Sequence, residues 1–226
     1  KSHGKDMAFA IHKEGEASLK FTGAFIREEN LDCSYAEVGC FHAAHNSAQY
    51  DKLARVLDYQ VPGLEHDAYM IPRSEQHFEL GTDTYFGGAI FPQHASVDPA
   101  AYHKGLMGKA RDAGASIISC CAAENINRDK SGFSVKTSKG VVQADKVIIA
   151  TNGYTGSLTP RLQRRVIPIG SYVIATEPVA KELMDKLMPK DRIVSDTRKV
   201  VYYYRPSPDR SRIIFGGRVS LRESNP

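Results

Sequence analysis

The chain has 226 residues, of which 42% are hydrophobic and 25% charged, with a formal net charge of +4. That length buries a substantial core in one or two domains, and the small, dispersed cationic surplus excludes a dedicated nucleic-acid face. No apolar run reaches the length of a membrane span, and nothing reads as a signal peptide.

The first residues read as a long helix to about Asn30, with Met7, Ile11, Phe21 and Phe25 as a partial apolar stripe. A strand is predicted at Ser34–His42, then a helix at Gln49–Leu57 entered through Asn46 or Ser47. After Pro62-Gly63 a loop-rich segment leads to a strand near Gly88–Phe91. Asp98 is a suitable N-cap and Pro99 a suitable first residue for a helix running to about Ala113, which Gly114 stops. Tyr102, Leu106, Met107, Ala110 and Ala113 share one face of it.

A short strand is expected at Ser116–Cys120, followed by a β-meander of Ala123–Asn127, Phe133–Thr137 and Val141–Ala150. The apolar run Val147–Ala150 reads as a strand buried on both faces, and the turn Thr151-Asn152-Gly153 ends it. Glycine there permits close backbone approach to a ligand, while Thr and Asn supply hydrogen-bonding groups. An ordinary strand and turn is the other reading. The remaining strands are predicted at Val166–Thr176, Ile193–Asp196, Val200–Tyr204 and Arg212–Gly216, with a short helix at Ala180–Leu187. The fold class is α/β (an α+β mixture), with the strands Val166–Thr176, Val200–Tyr204 and Arg212–Gly216 in one mixed sheet.

The order VDPAAYHKGL, GASIISCCAAENINRD, GFSVKTSKGVVQADKVIIATNGYTG resembles the middle of FAD-dependent oxidoreductases of the D-amino-acid oxidase and glycine oxidase type. The downstream run RRVIPIGSYVIATEP and then VVYYYRPSPDRSRIIFGGR looks most like gamma-glutamylputrescine oxidoreductases and related amine-oxidising members. The resemblance covers nearly the whole chain. It implies a cofactor domain interrupted by a substrate domain: residues 1–97 as substrate-domain elements with part of the connection, 98–155 as an FAD-binding α/β portion with the meander, and 156–226 as substrate-domain sheet. Members of the family open on a GxGxxG turn that holds the FAD pyrophosphate. The sequence contains no GxGxxG; Gly87-Gly88 and Gly216-Gly217 are isolated pairs. An internal fragment of a longer flavoenzyme is therefore expected, with FAD bound weakly or not at all by the fragment and no redox activity of its own.

The resemblance also implies site residues. Ala123 falls where members pair backbone groups with the adenine. Thr151, Asn152 and Gly153 match the turn beside the FAD diphosphate or ribose. Gly216 and Gly217 sit where a strand nears the isoalloxazine; a β-bulge or strand end is the alternative. In the strand VVYYYR, Tyr202 and Tyr204 share one face, and Tyr203 and Arg205 the other. Tyr203 would wall a pocket, and Arg205 would hold a substrate carboxylate bidentately. A tyrosine-rich strand with Arg205 at an exposed end explains the same residues. His94, in FPQHASVDP, would act as base or hydrogen-bond donor on the substrate side, or else be held in its loop.

His42 and His45 in CFHAAHN read as a strand end, so no metal is expected. The four cysteines form no CxxC and no zinc-finger spacing with histidine, which predicts buried free thiols in a reducing, cytoplasmic compartment. The partner implied is a small amine or amino acid. A binding or structural module without redox activity of its own is the alternative function.

Overall fold

A computed structural model describes residues 4–220. In chain order the helices and strands are α1 (Gly4–Glu28), β1 (Cys40–Ala43), α2 (Ser47–Leu57), β2 (Tyr69–Ile71), β3 (Gly88–Phe91), α3 (Pro99–Asp112), β4 (Ala123–Arg128), β5 (Phe133–Thr137), β6 (Gly140–Ala144), α4 (Pro160–Gln163), β7 (Gly170–Ala175), α5 (Lys181–Leu187), β8 (Ile193–Asp196), β9 (Tyr203–Pro206) and β10 (Ile213–Ser220). The architecture is mixed α/β with two sheets, as expected. It divides into two units, one built from the residues up to Lys109 with Tyr172–Arg218, the other from Ala110–Ser171.

Caps start the helices where the sequence placed them. Asn46 Oδ1 accepts from the Gln49 N–H at 2.9 Å, opening α2. Asp98 Oδ1 accepts from the Ala100 and Ala101 N–H groups at 2.9 and 3.0 Å, opening α3 at Pro99.

The larger unit is organised by a seven-stranded sheet in the order β2-β3-β1-β8-β9-β10-β7. It is mixed: β1 and β8 run parallel, while β1–β3, β8–β9 and β9–β10 are antiparallel. The three strands predicted to share one sheet, now β7, β9 and β10, do so. The register stacks Tyr69, Ile90, Phe41, Val194, Tyr204 and Phe215 in one row across six strands. Phe41, Ile90 and Val194 in this row are fully buried and pack with Leu80, Met184 and Met188 as the hydrophobic core. A charged group is sunk beside it. Glu79 is 3% exposed and receives Lys190 Nζ at 2.5 Å and Arg192 Nε at 2.8 Å. The chain thus compensates a buried carboxylate with two cations.

The smaller unit holds the meander β4-β5-β6 as a three-stranded antiparallel sheet. The run Val147–Ala150 is not a strand, and Ile148 is 89% exposed. Ser116–Cys120 is likewise not a strand, and Cys120 takes a φ of +49°. Apolar content and β-branching favour an extended backbone, but a strand exists only when a neighbouring strand pairs with it, and no strand among the described residues pairs with either run.

Candidate active site and cofactor contacts

The row next to the core row points to the opposite face of the large sheet. It runs Met70, Ala89, His42, Ser195, Tyr203 and Gly216 across β2, β3, β1, β8, β9 and β10. Alternation in β9 therefore separates Tyr204, which packs against the core, from Tyr203 and Arg205, which face away from it. Strand β9 begins at Tyr203 rather than Val200, and Tyr202 lies just before it. Tyr202 still stacks obliquely on Phe215, with ring centroids 5.6 Å apart.

The core side of β9 is itself polar at its edge. Tyr204 Oη donates to Tyr85 Oη at 3.5 Å, and burial pushes the Tyr204 phenol far above its ordinary pKa. Asp196, fully buried, pairs with Arg198 and accepts from the Tyr202 N–H at 3.1 Å. Arg198 in turn lies over the rings of Tyr85 and Tyr202.

Tyr203 and Gly216 are cross-strand partners, and a Cβ on Gly216 would collide with the Tyr203 ring. Gly217 has the same relation to Tyr202. Missing side chains here thus admit tyrosine rings from the neighbouring strand. Arg205 directs Nη2 to the Val97 carbonyl at 2.9 Å and Nη1 to the Pro206 carbonyl at 3.3 Å. It ties β9 to the loop that carries His94 into α3. Two of its five N–H donors are used in this way.

His94 stacks on Phe91 with centroids 5.5 Å apart, and its backbone carbonyl accepts from the Gly39 N–H at 2.8 Å. Its outer edge is exposed, but the packed side is desolvated, which lowers its pKa below the usual imidazole value. It lines a cavity of about 430 Å³ with Ile11 and Leu19 of α1, Leu64, Phe91 and Pro92. That volume falls within the range of small-molecule pockets.

On this face the sequence pointed to His42 only as a strand-end residue without a metal, and did not point to Ser195. His42 Nδ1 and Ser195 Oγ lie 2.8 Å apart, and Ser195 Oγ is 3.8 Å from Cys40 Sγ. Burial lowers the His42 pKa, partly opposed by Asp196 on the reverse face, and burial raises that of Cys40. Alternation in CFHA and IVSD assigns these side chains to one face of each strand, but their pairing joins residues too far apart in sequence for any local pattern to report. His45 turns elsewhere, with Nδ1 2.7 Å from Thr197 Oγ1. No cluster of three or more metal-ligating side chains occurs among the described residues.

The cofactor candidates of the smaller unit are exposed. Ala123 opens β4 opposite Thr137, with a register shift before Asn125. Thr151-Asn152-Gly153 leads into a single 3-10 turn at Asn152–Tyr154, where Asn152 adopts a φ of +46°. Thr151 Oγ1 and Thr155 Oγ1 close the turn at 2.7 Å. A Cβ on Gly153 would meet nothing within 4 Å, and Tyr154 is 95% exposed. No intrachain contact therefore demands glycine at 153, and the turn leaves room for an extended ligand to approach its backbone. The diphosphate cradle of a GxGxxG turn is not in the sequence.

The chain is 30% identical over 241 residues to the gamma-glutamylputrescine oxidoreductase of Escherichia coli (strain K12), covering 100% of this chain and 53% of that protein. It is 28% identical over 225 residues to "Probable oxidoreductase OrdL" of Rhizobium meliloti (strain 1021), covering 99% and 51%. These identities are too close to prefer one relative's activity. The chain spans about half the length of the curated relatives it matches. Its fold matches glycine oxidase from Geobacillus kaustophilus with a TM-score of 0.73 at 18% identity, over 90% of this chain and 54% of that one. It matches L-proline dehydrogenase from P. horikoshii with a TM-score of 0.69 at 17% identity, over 90% and 54%. No helix among the described residues is long and apolar enough to cross a membrane. The family model for FAD dependent oxidoreductases matches residues 3–226, and the chain belongs to that family.

Proposed function

We propose that this chain is the middle region of an FAD-dependent oxidoreductase that oxidises the C–N bond of a small amine or amino acid. The finer reading, a gamma-glutamylputrescine oxidoreductase-like member, rests on the resemblance of the run VVYYYR followed by IIFGGR. The observation that carries the oxidoreductase reading is one face of the large sheet: a row of polar and aromatic side chains on the side away from the hydrophobic core.

FAD, when bound, supplies the hydride acceptor for the substrate α-carbon. On this reading Ala123 and the turn Thr151-Asn152-Gly153 hold the adenine and ribose side through backbone and hydroxyl groups, in a portion of the cofactor domain spanning 98–155. Gly216 and Gly217 leave room for the Tyr203 and Tyr202 rings beside β10, and on this reading the Tyr203 ring walls the flavin side of the substrate site. Arg205 holds the loop of Val97 and has N–H donors left for a substrate carboxylate. His94, neutral near physiological pH, offers a hydrogen bond to the substrate. The substrate domain comprises residues 1–97 and 156–226. The cysteines are all free, Cys33 and Cys40 buried as expected but Cys120 exposed and Cys121 half-buried, and on this reading they fit a reducing cytoplasmic setting.

A second reading is favoured by one specific feature. Arg205 is engaged with two backbone carbonyls, as expected of a purely structural arginine in a binding module without redox activity. Flavin bleaching separates the two. The FAD-loaded full-length protein is mixed anaerobically with a panel of primary and secondary amines. Loss of the oxidised flavin band with at least one amine supports the oxidoreductase. A flavin that stays oxidised with all of them supports the binding module.

A further inference from the structure

His42 and Ser195 meet at 2.8 Å from two parallel strands on the face that carries Tyr203. Both are half-buried. The groups around His42 are few. On its own strand stands Cys40, which Arg192 influences. From β9 come Tyr203 and Arg205, and from the reverse face Asp196. Strands β2 and β3 add only Met70, Ala89 and Phe91 to this face. Burial outweighs Asp196, so near neutral pH the imidazole is uncharged, while burial keeps the Cys40 thiol protonated.

If the Ser195 O–H donates to Cys40 Sγ, the Ser195 oxygen is left to accept from Nδ1–H of His42. The Nε2 lone pair is then left over. Beside His42 the row is low, because Ser195 is small and the Tyr203 ring is drawn over Gly216. A base oriented by a neighbouring hydroxyl is the arrangement that general-base catalysis requires.

We propose that His42 is the proton acceptor for the substrate ammonium, with Ser195 as its positioning residue. The proposal rests on the amine-oxidising reading above. In the step, one N–H bond of the ammonium breaks and an Nε2–H bond forms. The electron pair stays on the amine nitrogen, and the imidazolium later returns its proton to water. The neutral amine is the form whose α-carbon can lose a hydride. His94 keeps its hydrogen-bonding role.

Two measurements test this. Nitrogen-15 NMR of the histidines in this chain reads the tautomer directly. The expected result is protonated Nδ1 and bare Nε2 for His42, with the preference lost in Ser195→Ala; an Nε2–H tautomer overturns the proposal. The second uses the FAD-loaded full-length protein and an amine that bleaches its flavin. The rate constant kcat/KM should rise with pH through the His42 pKa, and His42→Gln should remove that rise and lower kcat/KM roughly 10²–10⁴-fold. Ser195→Ala should move the rise along the pH axis and retain part of the rate. An unchanged profile in His42→Gln overturns the proposal and leaves the oxidoreductase intact. If no amine bleaches the wild-type flavin, the oxidoreductase reading fails and the proposal falls with it.

Discussion

Arg205 of β9 donates from Nη2 to the carbonyl oxygen of Val97 at 2.9 Å, across a large gap in sequence. The bond fixes the loop between β3 and α3 against the sheet, and with it the backbone of His94. A residue in this position has both a structural and a ligand-facing consequence, and they are separable by experiment.

Arg205→Ala should lose charge-assisted hydrogen bonds worth about 1.5–3 kcal/mol each, seen first as a lower Tm. In the full-length protein, KM for an amine bearing a carboxylate should rise roughly ten- to a hundredfold, while an amine without one changes little. Equal losses for both substrates would assign Arg205 to loop anchoring alone.

Gly216→Ala places a methyl group into the ring of Tyr203. The ring must swing off β10 or the strands must part, and overpacking of this kind costs about 1–3 kcal/mol. Urea denaturation should report that loss in the single variant. Adding Tyr203→Ala should recover part of it, because the second change removes the colliding group. Additive losses would mean that the two residues are not coupled.

How far these contacts could be read in advance depends on their range. Asp98 and Pro99 announce the start of α3 because a cap is a contact over three residues. That β7, β9 and β10 share one sheet was expected from the sequence, though not their order within it. The start of β9 was not, since Tyr203 enters the ladder only where Ser195 and Gly216 provide partners. Val147–Ala150 failed for the same reason: its composition suits a strand, but composition does not supply a neighbour. The His42–Ser195 bond was out of reach altogether. It depends on β1 and β8 lying side by side, a parallel pairing between distant segments that leaves no local signature.

Glu79 should be the most sensitive charged position in the larger unit. Its carboxylate is buried, and Lys190 and Arg192 both converge on it. Glu79→Ala leaves a half-buried guanidinium and an ammonium facing each other without a counter-charge, and removing one member of a buried pair costs about 3–5 kcal/mol. A double-mutant cycle with Arg192→Ala should recover a share of that loss. Near-wild-type stability of Glu79→Ala would show that water replaces the carboxylate without penalty.

Stability should also fall on mild acidification. The pKa values of His42 and His94 are both held below the ordinary value of 6.5, chiefly by burial. Above that pH the two imidazoles are neutral in both folded and unfolded chains and contribute no pH dependence. As the pH drops below 6.5, the unfolded chain takes up protons that the folded chain resists, so stability declines until the folded-state values are passed. Carboxylates with lowered pKa, such as Asp185 and Glu37, act only at lower pH, through and below their ordinary range. Thermal melts from pH 8 to pH 5 should therefore show a falling Tm, shallower in His42→Gln. A Tm that stays flat in this window would remove burial of neutral imidazole as a feature of the site.

The 226-residue chain by itself is expected to purify without yellow colour. Anchoring of a dinucleotide depends most on the diphosphate, which helix N-terminal N–H groups and a glycine-rich turn hold in this class of cofactor site. The sequence has no GxGxxG to make that contact. What it offers is the edge of β4 at Ala123 and an exposed turn at Thr151-Asn152-Gly153, closed by its own threonine hydroxyls. Such groups can orient a cofactor that is held elsewhere, but they lack a charge to retain it. Titration with FAD, followed by flavin fluorescence and calorimetry, should give weak or undetectable binding. Asn152→Ala should then leave the isolated chain's behaviour unchanged, and lower FAD affinity only in the full-length protein. Stoichiometric flavin carried through purification of the chain alone would refute this, and would place enough of the binding energy in the β4 edge and the 151–153 turn to hold FAD without the diphosphate cradle.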